Sequence, residues 1–247
     1  MTRPHLSASQ ISTYLACGVR WERQYVRGER TPANGYMVRG SALDDAANLY
    51  YREKAKGVPA LDVDEFVEAA VSSHQARLVG EEIELDVPED QSKTMLAKAA
   101  GAYYAAIATK FTPRSVEDIQ RKYVVALDDF DVVGYVDLIT NAGAVVDTKL
   151  KARLVGDDEL ASNVQLSTYA WMTGATNLAL AVAQPTGKAT LQWTTRDAAD
   201  VERVKRLYSR VWASIQLGVA VPASPESWNC GPRWCSFWAS CPFGGQA

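Results

Sequence analysis

The stretch Ala144-Val145-Val146-Asp147-Thr148-Lys149-Leu150 decides how the rest of the chain is read. It has the apolar content of a short β-strand, yet it carries an acid and a base two residues apart. Successive strand side chains point to opposite faces, so Asp147 and Lys149 share a face with Val145. Upstream, the β-rich run Asp131–Thr140 (DVVGYVDLIT) ends at Asn141-Ala142-Gly143, a turn-like connection. A three-residue hairpin loop centred on Ala142 sets Asp137 directly across from Asp147. Cross-strand neighbours have Cβ atoms about 4.5–5.5 Å apart, and like charges at that range repel. Two arrangements relieve the repulsion: a solvated face on which Lys149 neutralises the pair, or a divalent cation shared by both carboxylates. Hard ions such as Mg²⁺ take oxygen ligands and are commonly held by one or two carboxylates plus substrate phosphates. A lysine beside such an ion can orient an attacking water and offset charge on a phosphate.

The chain has 247 residues, of which 47% are apolar and 22% charged, enough for a substantial core and without the signature of disorder. The sequence MTRPHLSASQ lacks the apolar region of a secretory signal, and no apolar string approaches a membrane span, so a cytoplasmic protein is expected. A net charge of -3 argues against bulk electrostatic coating of nucleic acid. The charge is unevenly spread: residues 1–56 hold nine Lys/Arg against five Asp/Glu, whereas 61–90 hold one Arg against ten acids. The N-terminal part suits an anion, although solvated helix faces of mixed charge give the same counts.

Ser7 followed by Gln10 fits a capping box, and Ile11, Tyr14, Leu15 and Val19 recur at helical spacing. A helix is expected from about Ser9, with Cys17 in it or at its end. Further helices are expected at about 41–53, 64–78 and 93–110, with 80–92 as an acidic surface loop. RKYVVAL, DVVGYVDLIT and AVVDTKL then read as an antiparallel meander, and DELASNVQLSTYAWMTG as a helix stopping at Gly174. NLALAVAQ and KATLQWTT flank a second hairpin, and 197–217 form a last long helix before a tail rich in Pro, Cys and Trp. With no Gly/Ser-rich linker and no internal repeat, the expectation is a single α/β domain over 1–247. It has a small mixed β-sheet flanked by helices, a helical insertion at about 41–112 and a core at about 113–217.

Gly134-Tyr135-Val136-Asp137 followed by Asp147-Thr148-Lys149 resembles the signature of the PD-(D/E)XK nucleases, in which a lone Asp and a D-x-K or E-x-K lie on adjacent strands. Gln165 and Tyr169, spaced i,i+4 on the following helix and therefore on one helix face, resemble the Q-x-x-x-Y motif of the RecB-like branch. LSASQISTYLACG is similar to the N-terminal helix of that branch, with Gly18 where the family usually has Pro. RGSALDDAAN resembles its G-x-x-x-H helix, with Asp44 in place of the usual metal-binding His. An aspartate can still ligate Mg²⁺ or Mn²⁺, and three carboxylates make a harder, more oxygen-selective site; an exposed helix aspartate beside Asp45 is the plainer reading.

Cys230, Cys235 and Cys241 fall close together and Cys17 lies at the other end of the chain. In a cytosolic protein such grouping suggests a metal rather than disulfides. One cysteine plus three is a poor match to the paired knuckles of zinc sites, and ordinary buried thiols remain open. The arrangement resembles RecB-like nucleases with a four-iron four-sulfur (4Fe-4S) cluster, among them the AddB nuclease and the CRISPR-associated exonuclease known as the fourth Cas protein. Here the first C-terminal gap, CGPRWC, is longer than the family's usual C-x₂-C. Trp228, Trp234, Phe237, Trp238 and Phe243 offer aromatic surface to shield a cluster. Joining Cys17 to the tail would make its binding energy folding energy.

The resemblance spans Leu6 to Cys241 and implies a metal-dependent DNA exonuclease with a restriction-endonuclease-like core, acting at DNA ends or single strands. Asp44, Asp137, Asp147 and the Thr148 carbonyl would hold Mg²⁺ or Mn²⁺, Lys149 would orient the water, and Gln165 and Tyr169 would position Lys149 or the scissile strand. Arg20, Arg23, Arg27 and Arg39 are the expected phosphate contacts. DNA is the implied partner, with a recombination or CRISPR-adaptation protein as a second. A DNA-end-binding adaptor that kept the fold and cluster without efficient cleavage is the alternative.

Overall fold

The computed structural model describes residues 3–80 and 83–245. In chain order, β1 (His5–Leu6) leads into α1 (Ala8–Ala16), whose N-terminal amide at Gln10 is capped by Ser7 Oγ at 3.3 Å. Cys17 ends α1 and caps α2 (Gly18–Trp21), which continues into a π-helical turn, Glu22–Val26. A short strand, β2 (Ala33–Asn34), precedes α3 (Gly35–Lys56). This helix starts several residues before the expected 41 because Asn34 Oδ1 accepts from the Met37 amide at 2.9 Å, and it stops at Gly57 in the left-handed conformation (φ 70°). Asp62 and Glu65 make reciprocal backbone caps ahead of α4 (Val63–Gly80). Within the expected acidic loop, β3 (Ile83–Glu84) pairs in parallel with β2, and α5 (Glu89–Ala106) has already begun; residues 81 and 82 lie outside the described residues.

The β-rich segment gives β4 (Ile119–Leu127), β5 (Phe130–Ile139) and β6 (Val145–Leu150). The stretch read as one helix before Gly174 is two, α6 (Asp157–Ala161) and α7 (Val164–Thr173), because Asn163 Oδ1 caps the Leu166 amide at 2.9 Å and starts a new helix. Then come β7 (Asn177–Gln184), β8 (Lys188–Thr195) and α8 (Ala198–Gln216). No helix among the described residues is long and apolar enough to cross a membrane.

The chain forms two compact units. One comprises Met1–Thr31, Val124–Gly134 and Glu202–Ala247. In it β1 pairs in parallel with Asp131 and Val132, and Leu6, Ile11, Phe130, Val132, Val204 and Tyr208 are buried. Ser209 Oγ and Trp212 Nε1 on α8 donate to Asp128 and Asp129, fixing the β4–β5 turn.

The other unit comprises Pro32–Tyr123 and Tyr135–Val201. Here β5 and β6 are antiparallel, β6 and β7 parallel, and β7 and β8 antiparallel, with β4 beside β5: a mixed sheet. The parallel step needs a crossover, and residues 151–176, including α7, supply it. Strand β7 reads as an unbroken apolar run because Leu178–Ala183 are all buried, as in a sheet covered on both faces. Ala42, Leu43, Ala46, Phe66, Leu96 and Tyr103 of α3, α4 and α5 form one core with Leu138, Val146, Ala181 and Ala183 of the sheet. The α/β class and the mixed sheet flanked by helices are as the sequence implied.

Candidate active site

The β5–β6 hairpin has the register expected from the three-residue loop. Leu138 pairs with Val146 and Ile139 with Val145, Thr140 N donates to the Ala144 carbonyl at 2.9 Å, and Gly143 takes the left-handed turn position (φ 78°). Beyond Val146, β6 keeps its full pairing with β7 but no longer ladders with β5. The Thr148 amide instead donates to Asp137 Oδ2 at 2.9 Å. The two carboxylates therefore converge where the strands part, and Asp147 is 0% exposed.

Asp44 of α3 joins them. Gln120 Nε2 donates both to Asp44 Oδ2 (2.9 Å) and to Asp137 Oδ1 (3.2 Å), and Asn48 Nδ2 donates to Asp44 Oδ2 (3.2 Å). Lys149 Nζ stands 2.7 Å from Asp147 Oδ2. Lys149 thus partners Asp147 Oδ2, whereas Asp147 Oδ1 and Asp44 Oδ1 are buried without a hydrogen-bond partner. Burial, followed by the charges of Asp45 and Asp147, pushes Asp44 up to about 6. Burial and the charges of Asp147 and Asp44 hold Asp137 well above the usual carboxylate range. Burial alone would lower Lys149, but Asp147, Asp137 and Asp44 together raise it. Native proteins seldom leave buried carboxylate oxygens unpartnered. Crowded, unsatisfied oxygens around one point are the donor set a small divalent cation satisfies. The three aspartates thus fit Mg²⁺ or Mn²⁺, although among the described residues no three Asp, Glu, His or Cys side chains are already drawn into a cage.

Thr148 connects this centre to the helical core: its hydroxyl and that of Tyr103 lie 2.9 Å apart, and burial raises Tyr103 to about 12. Gln165 Nε2 donates to the Tyr169 hydroxyl (2.7 Å), which in turn donates to the Tyr135 carbonyl (2.5 Å). The Q-x-x-x-Y pair thereby braces β5 two residues before Asp137; the hydroxyl is spent on that carbonyl rather than on Lys149. Sequence reading missed Gln120, Asn48 and Tyr103. Asn48 sits i,i+4 from Asp44, a spacing that could have been noticed. Gln120 gives no such signal, because its reach depends on a left-handed backbone (φ 53°) that is uncommon outside glycine.

Of the four arginines, Arg39 is a correction. Its side chain is 1% exposed and donates to both Asp86 oxygens (3.0 and 2.7 Å) and to Ser92 Oγ, so it anchors the helices and is not available to a phosphate. In the other unit Arg23 is tied to Glu29, Ser240 and the Phe237 ring. Arg27 pairs with Glu22 but is 58% exposed, and Arg20 is half-buried.

The cysteines gather in that unit. Cys17 Sγ accepts the amides of Arg20 and Ala223, both at 3.4 Å, and Gly18 N donates to the Val221 carbonyl at 2.7 Å. Burial and the thiols of Cys17, Cys235 and Cys241 raise Cys230, so those three lie within electrostatic reach of Cys230, although among the described residues no three cysteines are gathered closely enough to hold a metal. All are free and half-buried. Amides aimed at a sulfur suit a thiolate ligand. The expected aromatic shield is thinner than predicted: Phe237 is buried, but Trp228, Trp234 and Phe243 are 74%, 52% and 52% exposed.

Residues 5–242 match the sequence profile of the PD-(D/E)XK nuclease superfamily. A solved structure of a candidate exonuclease from Eubacterium rectale shares the fold, with a TM-score of 0.55 at 13% identity over 92% of this chain and 86% of that one. A second, of a protein named SSO0001, aligns over 100% of this chain and 89% of that one at 12% identity, with a TM-score of 0.46. No curated protein matches the sequence.

Proposed function

This chain belongs to the PD-(D/E)XK nuclease superfamily, and from that premise we propose that it is a metal-dependent deoxyribonuclease acting as an exonuclease on DNA ends or single strands. The observation that carries the reading is the convergence of Asp44, Asp137 and Asp147, two of whose buried oxygens lack a hydrogen-bond partner, beside Lys149. Asp44, Asp137 and Asp147, with the Thr148 carbonyl, would hold one or two Mg²⁺ or Mn²⁺ ions. Bound there, such an ion supplies Lewis-acid stabilisation of the charge that develops on phosphorus-bound oxygens. The chain's own residues do the rest. Lys149, positively charged and half-exposed, is placed to hold the attacking water by hydrogen bonding and to offset phosphate charge. Asp147 fixes the Lys149 ammonium. Tyr169 and Gln165 hold β5, and Thr148 N–H holds Asp137, so the carboxylate that would bind the cation is fixed on its strand.

Cys17, Cys230, Cys235 and Cys241 would ligate a 4Fe-4S cluster in an intracellular protein. Support comes from the three thiols within electrostatic reach of Cys230 and from the amides that point at Cys17 Sγ. The name of the Eubacterium rectale protein agrees with exonuclease action.

A second reading, a DNA-end-binding adaptor for a recombination or CRISPR-adaptation protein with little cleavage, is favoured by one feature. The Gln120 amide stands between Asp44 and Asp137, where it competes with a cation. The test is incubation of anaerobically purified protein with end-labelled single- and double-stranded DNA in Mn²⁺, Mg²⁺ or EDTA. Metal-dependent nucleotide release that Asp147→Ala and Lys149→Ala abolish supports the enzyme. Binding without release supports the adaptor, and wild-type activity in either variant overturns the site.

A further inference from the structure

Next to the carboxylates, β4 and β5 carry a second cross-strand pair whose side chains the chemistry above does not use. Tyr135 lies two residues before Asp137, a rise of about 7 Å along a strand. Burial alternates through this stretch, with Val136 at 0%, Leu138 at 2% and Tyr135 at 51% exposed, so Tyr135 shares the face of Asp137. On β4, Gln120 reaches Asp137 and, two residues on, Lys122 places its ammonium 5.9 Å from the Tyr135 ring centroid. The Tyr135 backbone is pinned by the Tyr169 hydroxyl, so the ring is presented from a fixed strand while its own side chain is half open. Lys122 is exposed and has no carboxylate partner among the described ion pairs.

Resting on the nuclease reading, we infer that Tyr135 and Lys122 form a nucleotide subsite beside the metal centre. The Tyr135 ring stacks on a base of the strand being cut, and Lys122 meets the phosphate next to the scissile one. Three things favour a single nucleic-acid strand as the occupant. A half-exposed aromatic ring is sequence-tolerant toward bases, a cation beside it with no carboxylate partner among the described ion pairs suits the backbone, and both stand one strand repeat from the carboxylates that would hold the divalent cation. An acidic peptide would use the ammonium but has no need of the ring.

The test compares two substrates with the full chain in Mn²⁺: a fluorescein-labelled oligothymidylate and bis(p-nitrophenyl) phosphate, a diester too small to span both places. Tyr135→Ala is expected to lower the ratio of kcat/KM for the oligonucleotide to that for the small diester by about tenfold, mostly through KM, with Tyr135→Phe restoring it. Lys122→Ala is expected to raise KM and flatten its dependence on salt. An unchanged ratio in Tyr135→Ala overturns the subsite. Fluorescence anisotropy with the same oligonucleotide in EDTA separates this result from failure of the nuclease reading. If the wild type cleaves nothing, a tenfold weaker Kd in Tyr135→Ala still sustains the subsite, and an equal Kd sinks it.

Discussion

The Thr148 amide donates to Asp137 Oδ2 at 2.9 Å at the point where the β5–β6 ladder stops. A side chain therefore does the work of a missing strand partner, and the same carboxylate is available on its other side to Gln120. This double duty makes two substitutions at one position behave differently. Asp137→Asn keeps an acceptor for Thr148 while removing a charge crowded by Asp147 and Asp44. Metal-free Asp137→Asn should melt at or above the wild-type temperature at neutral pH, yet lose cleavage by a factor of at least about 10². Asp137→Ala leaves the Thr148 N–H unpartnered and should lose about 1–3 kcal/mol more than Asp137→Asn. Calorimetry of the two variants side by side, with nucleotide release assayed in parallel, checks both halves.

The same crowding sets a pH dependence. In the metal-free protein burial and neighbouring carboxylates raise Asp44 from 3.8 to about 6 and push Asp137 upward as well. A folded-state pKa above the unfolded one means the native state holds its protons more tightly. Stability from these groups is thus complete below the unfolded pKa and is lost as pH climbs through about 6. In EDTA, Asp44 alone should cost the fold on the order of 1–2 kcal/mol on going from about pH 5 to about pH 7.5, and Asp137 adds to it in the same direction. Saturating Mn²⁺ should reverse that loss at the higher pH and do little at the lower, where protons compete for the same oxygens. Melting curves at the two pH values, with and without Mn²⁺, read it directly. An Mn²⁺-induced rise no larger at pH 7.5 than at pH 5 would refute the assignment.

The parts of this architecture that were legible in the sequence are those fixed by local rules. Asn141-Ala142-Gly143 specified the hairpin register because a three-residue loop ending in a left-handed glycine leaves one pairing, and Asp137 and Asp147 followed from it. Gln165 and Tyr169 were legible as one helix face, but their target was not, because the Tyr135 carbonyl is backbone and carries no sequence signature. Arg39 was misread because charge pattern gives sign and not depth; its partner Asp86 lies 47 residues away and is brought to it by the packing of α3 and α5. Caps too short to stand out, such as Asn34 and Asn163, moved helix starts by several residues.

Gln120 has a left-handed backbone (φ 53°), which costs a non-glycine residue about 1–2 kcal/mol. Glycine relieves that cost but removes the amide that separates Asp44 from Asp137. Gln120→Gly should therefore change stability by less than about 1 kcal/mol, whereas Gln120→Ala, which keeps the strain and loses the hydrogen bonds, should be the less stable of the two. If the amide holds the carboxylates in place for the cation, both variants lose kcat. If it blocks the cation, both bind Mn²⁺ more tightly, as isothermal titration would show. Equal stability of the two variants would mean that the backbone at 120 is not strained.

Gly18 explains a departure from the usual family pattern, which has proline there. Its amide donates to the Val221 carbonyl at 2.7 Å, a bond proline cannot make, and an added Cβ would stand 2.7 Å from Val221 N and 2.9 Å from Ala220 backbone atoms. Those are backbone contacts that cannot rotate away. Next to them Ala223 N donates to Cys17 Sγ, and the Tyr14 hydroxyl donates to the Val219 carbonyl at 2.6 Å, so the segment 219–223 delivers the cysteine-rich tail to Cys17. Gly18→Ala should cost about 1–3 kcal/mol by overpacking, a fall in Tm of several degrees. Gly18→Pro, though closer to the family's usual residue, should cost more, because it loses the donor as well. On the proposed cluster, iron content per chain in anaerobic preparations should fall in the same order, while residues of the carboxylate site are untouched. A Gly18→Pro protein with wild-type Tm and iron would show that the tail is positioned by other contacts.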